Sequence, residues 1–485
     1  MRTSTHPAPR RPEPAPLTRL TRGRPRRWLS AALAAAAAVS AACTDARPPT
    51  SPTRDAAAGD APSAAAAASE RTHPSRYTVT DLGTFGGPFS VAFDIDVVGR
   101  VRGGATVPSG YQHAFITAHG GKRDLGTLGG LNSQASGRTG TSQVTIVSET
   151  SDRDPLQENF CGFAALGGGP VTGLACVGAI SENGRLKRLP TLGGTNAAAL
   201  TGNVAGESVG LAEDGVPDAT CIAPQKSHFE AVVWGPNGKI HKLPLLPGDE
   251  VGMALRNNDR GQVVGTSGLC ANTFFGGFGL GPHAVLWEHG VPTDLGNLGD
   301  STASVAASIN NRGQVVGGST VPGGHTHGFL WTRGTGMRDL GVLSADPADV
   351  TNLPFMINDR GQIVGESCDV TLATCRGYVW QDHRFTDLNA LIPADSPLYL
   401  ISPLVINDAG QIAGLAVVKS TGEAHAFLAT PAPGRGVADV ADAAVAGGAV
   451  SAVNASASPA PPRPPMTLPA GVRALIGRRR SAPQP

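Results

Sequence analysis

INDRGQIVGES, residues Ile357 to Ser367, joins a turn signal to an alternating apolar run. Closely similar strings return as INNRGQVVGGS (Ile309 to Ser319) and INDAGQIAGLA (Ile406 to Ala416). Because Asn and Asp bond the backbone of a tight turn and Gly supplies a positive φ, Asn-Asp-x-Gly between apolar runs predicts a β-hairpin. A calcium loop would need carboxylates at alternate positions and a closing Glu, whereas Gln and apolar residues follow the Gly here. The stretch therefore predicts a structural turn that recurs in each unit of a repeated fold, which we call the seam motif.

The last Gly of this motif marks seven copies along the chain, one of them degenerate with Ser in its place: Gly103, Ser148, Gly210, Gly265, Gly317, Gly365 and Gly414. A second element of the form HAFLW follows each copy: Gln112–Ile116, Cys176–Ile180, Glu230–Trp234, His283–Trp287, His327–Trp331, Arg376–Trp380 and His425–Ala429. A third element, DLGTLGG in its fullest form, follows the first six: Asp124–Gly130, Arg188–Gly194, Lys242–Gly248, Asp294–Asp300, Asp339–Ser344 and Asp387–Ile392. A lone third element, Asp81–Gly87, stands at the front.

Each unit of about 45 to 62 residues predicts four short strands, which is the pattern of a β-propeller blade. The composition agrees, with 64 Gly, 39 Pro and only 16 % charged residues. The seventh copy meets Pro431-Ala432-Pro433 and lacks a fourth strand, while Tyr77–Gly83 is a fourth strand without its first three. We therefore expect an all-β fold: a seven-bladed β-propeller of four-stranded antiparallel blades over residues 77–430, closed by the N-terminal strand.

These elements together resemble the HAF-repeat family of probable extracellular repeat proteins, named for the His-Ala-Phe seen here at His113–Phe115 and His425–Phe427. The resemblance covers roughly Tyr77 to Thr430, and copies two and three depart from it because they lack Asp-Leu-Gly. It implies an exported repeat protein and carries over no catalytic residues.

The N-terminus has the form of an export signal. Residues 1–27 carry eight Arg, and Trp28–Ala42 is an uncharged, Ala-rich run too short for a membrane span. The run ends in Ser40-Ala41-Ala42-Cys43, which resembles a bacterial lipobox, so we expect a signal peptide over 1–43 and lipidation of Cys43. An ordinary signal peptide with Cys43 incidental is the alternative. We expect a disordered linker over 44–76 and a disordered Ala/Gly/Pro-rich tail over 431–485.

Charge and cysteine content bear on partners. Without the basic leader the chain is acidic, so we expect no nucleic-acid partner. Six cysteines remain after Cys43, an even number that suits an oxidising compartment. Their positions predict three disulfides: Cys368–Cys375 across one hairpin, Cys161–Cys176 within the blade-two insert, and Cys221–Cys270 between loops of consecutive blades. We expect neither a metal nor a cofactor.

Two motifs invite a catalytic interpretation. Gly206-Glu207-Ser208-Val209-Gly210 matches the nucleophile elbow G-x-S-x-G, but it occupies a strand of the repeat rather than a strand-to-helix turn. Four His open the third strand of their blades and could form a ring that binds a metal or an anion: His113, His283, His327 and His425. Three blades lack this His, so a structural role is favoured, a hydrogen bond to the preceding loop.

Function is expected where the copies differ, in the connections between second and third strands. The longest inserts are Glu149–Leu174, Leu211–His228, Thr266–Pro282 and Glu366–Cys375, and the aromatic cluster Phe274, Phe275 and Phe278 is a possible ligand face. We expect an exported, lipid-anchored monomer of the bacterial cell envelope that binds a protein or glycan through this face. A propeller enzyme acting on polysaccharide and a passive structural surface module are the alternatives, although the sequence shows no catalytic constellation.

Overall fold

A computed structural model describes residues 76–118, 120–140, 142–163, 170–274, 281–344, 349–432 and 465–480. The predicted signal peptide, Cys43 and the linker as far as residue 75 lie outside these residues. Within them, no helix is long and apolar enough to cross a membrane.

The strands, numbered in chain order, form seven antiparallel sheets of four. Blade 1 contains β2 (Ser90–Ile95), β3 (Val101–Thr106), β4 (Gln112–Ala118) and β5 (Gly121–Asp124). Blade 2 contains β6 (Gly129–Thr139), β7 (Gln143–Arg153), β8 (Leu174–Glu182) and β9 (Arg185–Arg188). Blade 3 contains β10 (Ala197–Gly202), β11 (Ser208–Pro217), β12 (Ser227–Trp234) and β13 (Ile240–Lys242). Blade 4 contains β14 (Val251–Asn257), β15 (Val263–Gly268), β16 (His283–Glu288) and β17 (Val291–Asp294).

The remaining blades follow the same order. Blade 5 contains β18 (Ser304–Ile309), β19 (Val315–Thr320), β20 (Thr326–Thr332) and β21 (Gly336–Asp339). Blade 6 contains β22 (Asp349–Ile357), β23 (Ile363–Asp369), β24 (Cys375–Gln381) and β25 (Arg384–Asp387), followed by a 3-10 helix, Leu388–Leu391. Blade 7 contains β26 (Leu398–Ile406), β27 (Ile412–Val418) and β28 (Ala424–Pro431), with β1 (Tyr77–Asp81) as its fourth strand. First strands of neighbouring blades contact one another all the way round, so they surround the axis. The seven-bladed propeller is confirmed.

Closure by the N-terminal strand is also confirmed. β1 pairs antiparallel with β28, with Tyr77 opposite Pro431 and Asp81 opposite Phe427. His425 of β28 lies 3.0 Å from Asp81 through its Nδ1. Burial acts to raise the pKa of Asp81, but hydrogen bonds from His425 and from the Gly83 backbone hold it below its ordinary value. The two ends of the repeat array thus share one blade, which removes the free edges of an open arc.

The repeated Asn-Asp-x-Gly turn links each blade to the next. In blade 6 the Asn358 side chain accepts from the backbone NH groups of Arg360 and Gln362 and donates to its own blade at Gln362 Oε1. Its second amide hydrogen goes to the backbone carbonyl of Asn407 in blade 7, at 3.0 Å. Gly361 closes the turn with φ +83°, where a side chain would be strained. The side-chain amide is therefore fully used: three of its four hydrogen bonds lie within its own turn and one crosses the blade junction.

The same bond recurs at five of the seven junctions among the described residues: Asn203 to Asn258, Asn258 to Asn310, Asn310 to Asn358, Asn358 to Asn407, and Asn407 to Asp96. The next residue of the motif adds a second link, since Asp359 Oδ1 accepts from the backbone NH of Asn311 and Asp408 Oδ1 from that of Asp359. The turn motif is thus a seam of the fold, as its sequence predicts.

A one-residue bulge interrupts every first strand at the same place. In blade 5 it falls between Ala306 and Ser308, and Gly317 of the second strand lies opposite Ala306. A Cβ on Gly317 would come within 1.9 Å of the Val305 carbonyl oxygen, so no larger residue fits without moving the backbone. The bulge explains the last Gly of the repeat motif.

Blade 2 corrects the repeat alignment. The sequence places Ser148 at the position of Gly317, but the strand pairing places Ile146 there, opposite Ala135. Blade 2 lacks the Asn-Asp-x-Gly turn and has Gly140 in a different hairpin. Without the turn signal, the sequence alone leaves the alignment of this copy two residues off.

The tail corrects the expectation of disorder over 431–485. Residues 465–480 are ordered and end in helix α1 (Ala470–Arg480), while 433–464 and 481–485 lie outside the described residues. Leu468, Val472, Leu475 and Ile476 are buried against blades 6 and 7. Their helical spacing is hidden in the sequence by flanking Ala, Gly, Pro and Arg, which dominate the composition of the tail.

Removing one junction amide tests this account of the seam. Asn310→Ala leaves the Asn358 carbonyl and its own turn without their partners, so we expect a loss of about 1 to 3 kcal/mol in the free energy of unfolding. Denaturant unfolding followed by tryptophan fluorescence measures it. Arg312→Ala, at an exposed position of the same turn, is the control and should change stability by less than about 0.5 kcal/mol. Equal stabilities for the two variants would contradict the seam role.

Candidate ligand-binding face

The connections between second and third strands emerge on one face, together with the connections between blades; we call this the insert face. Its longest loops are residues 154–173 of blade 2 and 269–282 of blade 4. The opposite face carries the short Asn-containing turns and the hairpins between third and fourth strands. Variation between blades is therefore concentrated on the insert face.

All three disulfides among the described residues lie at the insert face, in its loops or at the strand ends beside them. Cys161–Cys176 ties the blade-2 insert to β8, and Cys368–Cys375 closes the blade-6 hairpin. Cys221–Cys270 joins the inserts of blades 3 and 4. These are the pairings that the sequence predicts. They therefore restrain the connections that vary most between blades.

Phe274, the first residue of the predicted aromatic cluster, is not exposed. Phe274 is only 5 % exposed and belongs to the protein interior. Phe275 and Phe278 lie outside the described residues. The possible ligand contact is therefore not available at Phe274, because its ring is buried.

Other apolar side chains are exposed on the insert face: Leu131, Val171, Val216, Leu269 and Val370. Four of them come from blades 2, 3 and 4, which are consecutive in the ring and carry two of the disulfides. Their exposure places apolar side chains on three neighbouring blades of this face, where a partner could contact them.

A buried acidic cluster lies beneath that arc, at the junction of blades 2 and 3. Glu158 of the blade-2 insert is 3 % exposed and Glu213 at β11 of blade 3 is 2 % exposed. Asn196 donates through Nδ2 to Glu213 Oε2 at 3.2 Å and to Asp154 Oδ2 at 3.3 Å. The backbone NH of Lys226 donates to Glu158 Oε1 at 2.7 Å. Carboxyls from two blades thus converge on one amide.

Glu158 and Glu213 are neighbours in this cluster. Glu158 Oε2 and Glu213 Oε1 are buried, and neither oxygen has another hydrogen-bond partner. Burial, then the hydrogen bond and charge of Glu213, then the charge of Asp154, raise the pKa of Glu158 from 4.5 to about 9. No Lys or Arg side chain of the described residues forms an ion pair with either carboxyl. The pair is therefore a protonated clamp that holds the blade-2 insert on blade 3.

A related arrangement lies one blade earlier. Glu149 Oε2 accepts from the backbone and side-chain nitrogens of Asn132, and Thr172 of the insert donates to Glu149 Oε1 at 2.6 Å. Asn132 and Asn196 both follow a Gly-Gly-x step of the third repeat element. The sequence analysis missed these residues. The pattern that could have identified them is an Asn two residues after Gly-Gly, which occurs in only two copies of the third repeat element.

Three side chains from blades 3 and 4 also meet on this face. Ligand atoms of Asp218, His228 and Glu250 all lie within 4.8 Å of one another. His228 Nε2 is 2.9 Å from Asp218 Oδ2, and this contact together with bonds from Thr220 lowers the pKa of Asp218 to about 2, the backbone NH of Thr220 having the largest effect. The sequence predicted no metal here. The trio could offer ligands to a divalent cation, and in its present form it is an ion pair that stabilises the insert.

A cavity of about 450 Å³ opens at the edge of blades 6 and 7. Its polar lining is Asp387, Asn389, Tyr399 and Lys419, and Met466 of the tail forms part of its wall. Burial raises the pKa of both Asp387 and Tyr399. A carboxyl, an amide and a phenol beside one amine make a site suited to a small polar group. Asp387 and Asn389 belong to the sixth copy of the third repeat element, whereas Tyr399, Lys419 and Met466 belong to no repeat motif of the sequence analysis.

The catalytic interpretations find no support in the geometry. Ser208 is the first residue of β11 and is 1 % exposed, with its Oγ 3.3 Å from Thr145 Oγ1, so it is not an exposed elbow nucleophile. His113 and His327 bond the Asp of the fourth strand, Asp124 and Asp339, at 2.7 and 2.9 Å.

The HAF histidines are thus cross-strand partners rather than a ring. His283 differs because it contacts Asp249 of the preceding loop, at 3.0 Å. The expected hydrogen bond to the preceding loop is therefore found in blade 4, whereas His113, His327 and His425 use the fourth strand of their own blade. In blade 3 the pair is reversed in charge, with Glu230 bonded by Lys242.

No protein-family model matches the chain, and no curated protein matches it. The HAF-repeat assignment therefore stays a resemblance of motifs. Among solved structures, the chain is similar to TolB from Acinetobacter baumannii, at 12 % identity and a TM-score of 0.35, covering 62 % of this chain and 63 % of that one.

Two further solved structures are similar at the same low level. For the acylaminoacyl peptidase of Pyrococcus horikoshii the values are 10 % identity and a TM-score of 0.39, covering 73 % of this chain and 53 % of that one. For XC5397 of Xanthomonas campestris, titled a gluconolactonase, they are 8 % and 0.33, covering 73 % and 90 %. The chain thus spans less than two thirds of the first two structures. Likenesses of this size carry no argument about function, and the blade count rests on the strand pairing.

The protonated clamp predicts an unusual dependence of stability on pH. Between pH 4.5 and about 9 the folded state binds a proton at Glu158 that the unfolded state has lost, so stability falls as pH rises. Glu158→Gln removes this proton uptake and keeps a hydrogen-bond donor beside Glu213. We expect the variant to be more stable than the parent at pH 8, on the order of 2 kcal/mol, and nearly equal to it at pH 4.5.

Denaturant unfolding at pH 4.5, 6 and 8 measures the effect. Glu182→Gln, at an exposed position of β8, is the control and should follow the parent at each pH. If Glu158→Gln also follows the parent, Glu158 does not hold a proton in the folded state.

Proposed function

We propose that this protein is an exported, lipid-anchored β-propeller that binds a protein or glycan through its insert face. The observation that carries the proposal is the position of the disulfides: all three restrain loops of this one face. Disulfides also favour an oxidising compartment, in agreement with the signal-like N-terminus. The exposed apolar residues of blades 2 to 4 support contact with a partner on the same face.

The cavity of blades 6 and 7 favours a second candidate, an enzyme acting on polysaccharide. Asp387 with a raised pKa, Tyr399 and Lys419 border a space that admits a small polar group. An acid that stays protonated above its usual range is what a general acid requires. Against this, Asp387 also caps the 3-10 helix by accepting from the Asn389 backbone, which is a sufficient structural reason for its presence. A passive structural module is the remaining alternative.

Capture of envelope proteins and a glycan panel on the immobilised mature chain identifies the ligand, and two matched variants then locate its site. Val171→Lys/Val216→Lys/Leu269→Lys places charges on the insert face. Val97→Lys/Val98→Lys places them on exposed residues of the opposite face. We expect the first variant to weaken binding of the captured ligand at least tenfold by biolayer interferometry, and the second to leave it unchanged. Equal losses in both variants, or none in either, would refute binding through the insert face.

The same glycans, incubated with the mature chain and analysed for shortened products, separate the enzyme from the binding protein. Depolymerisation that disappears in Asp387→Asn would favour the enzyme.

The lipid anchor has its own test. Mass spectrometry of the membrane fraction should show acylated Cys43 as the first residue of the mature protein, because acylation follows the lipobox-like sequence before it. Cys43→Ser should move the protein to the soluble fraction. A mature chain that begins elsewhere and carries no lipid would exclude this anchor and leave the binding role untouched.

A further inference from the structure

The C-terminal helix α1 lies in a groove of the insert face. Its buried side chains, Val472, Leu475 and Ile476, follow the i, i+3, i+4 spacing of an amphipathic helix, and Leu468 precedes them on the same side. The outer side is exposed at Arg473, Ala474 and Arg478. The segment therefore presents an apolar stripe to the propeller and a basic surface to solvent.

The groove is made by the loops of blades 6 and 7. The backbone NH of Leu468 donates to the Ala373 carbonyl at 2.8 Å, in the loop closed by Cys368–Cys375. Pro469 lies against Gly422, in the corresponding loop of blade 7. The apolar cluster that receives the helix includes this disulfide together with Leu372, Tyr399, Ile401 and Val417. Ile401 belongs to a first strand, so the groove reaches from the outer loops to the inner strands.

The segment also closes part of the cavity of blades 6 and 7. Met466 lines that cavity together with Tyr399. The Met466 backbone lies close enough to the Tyr399 hydroxyl to lower its pKa, against the larger effect of burial. Displacement of the segment would therefore open the cavity and uncover the apolar groove at the same time.

The way in which α1 is attached would allow it to leave the groove and return. An isolated helix of 11 residues is marginal in water, so α1 depends on the groove for its order. The three disulfides leave the segment without a covalent tie to the groove. Residues 433–464, which connect it to blade 7, are rich in Ala, Gly and Pro and lie outside the described residues.

We propose that this groove is a helix-binding site, occupied in cis by residues 465–480, and that a protein partner binds by placing its own amphipathic helix there. The partner helix would carry large aliphatic residues at i, i+3 and i+4 and a basic outer surface, as the tail does. This inference rests on the proposed function in its protein-binding form. It adds the site, the class of ligand and the competition between ligand and tail.

A labelled synthetic peptide of residues 465–480 tests the groove directly, by fluorescence anisotropy against the full chain. Leu475→Asp/Ile476→Asp in the full chain should release the tail and allow the peptide to bind with a micromolar Kd. The wild-type chain, whose groove is filled, should bind it at least tenfold more weakly. Ala474→Asp, an exposed position of the same helix, is the control and should behave as wild type. A peptide carrying Leu475→Asp/Ile476→Asp should not bind any of the chains.

A second arm avoids changing the helix. A protease site placed within residues 433–464 of the otherwise wild-type chain allows the tail to be cut free after folding. Excess labelled peptide should then exchange with the released tail, as measured by co-elution in size-exclusion chromatography. If the peptide binds neither the double variant nor the cleaved chain, or binds wild type and variant equally, the proposal is overturned.

The two proposals fail separately. The peptide experiment needs no natural ligand, so a negative result there leaves the capture experiment intact. A captured protein that binds the wild-type chain and Leu475→Asp/Ile476→Asp with equal affinity binds outside the groove, which would overturn this inference and retain binding by the insert face.

Discussion

The hydrogen bond from one turn amide to the backbone of the next blade is the interaction on which the ring depends. A hairpin turn near the axis has a carbonyl that points toward its neighbour, and a buried carbonyl without a partner is costly. Asn358 donates to this carbonyl in blade 7, that of Asn407, and at the same time accepts from the backbone of its own turn. In blade 1 the equivalent residue is Asp96, whose carboxylate cannot donate; it pairs instead with Arg102 of its own blade at 3.0 Å. The blade 2 to 3 junction uses a backbone donor, Gly140, to the Asn203 carbonyl. The junctions that depart from the motif thus replace its bond with local chemistry.

Sequence patterns predict only those features that depend on residues close together in the chain. Turn chemistry and strand alternation act within a few residues, so they predict blades, their closure and the disulfides between corresponding loops. Where the turn signal is missing, in blade 2, the alignment slips by two residues. The contact between Glu158 and Glu213 joins an insert to another blade, and no local pattern encodes such an encounter. The tail helix was missed because four apolar residues are few in a long Ala- and Pro-rich stretch, and its order comes from the groove rather than from its own propensity.

The two faces of the propeller differ in how much their residues vary from blade to blade. On the face opposite the insert face, the same Asn amide recurs in blades 3 to 7, because each must satisfy the turn of the next blade. On the insert face, one structural position holds His113, Glu230 or Arg376, and the partner is an acid for His113 and Arg376 but Lys242 for Glu230. Such exchanges keep the hairpin together and change what it presents to solvent. A scaffold with this division can vary its surface without disturbing the ring, which is how loop-bearing folds acquire binding specificity.

The buried carboxyl pair shows that this variation has an energetic consequence. Holding Glu158 protonated at neutral pH opposes folding, since the unfolded chain would release that proton. A hydrophobic pair of the same size would avoid the loss, so the stability of the ring does not explain the carboxyls. What the pair provides is direction: Glu158 must meet Glu213, Asp154 and the Lys226 backbone at once, and few loop conformations allow it. Together with Cys161–Cys176, it fixes the blade-2 insert at two points. The described part of the insert is therefore held on blade 3 at the expense of stability, a trade that the proposed binding role would explain.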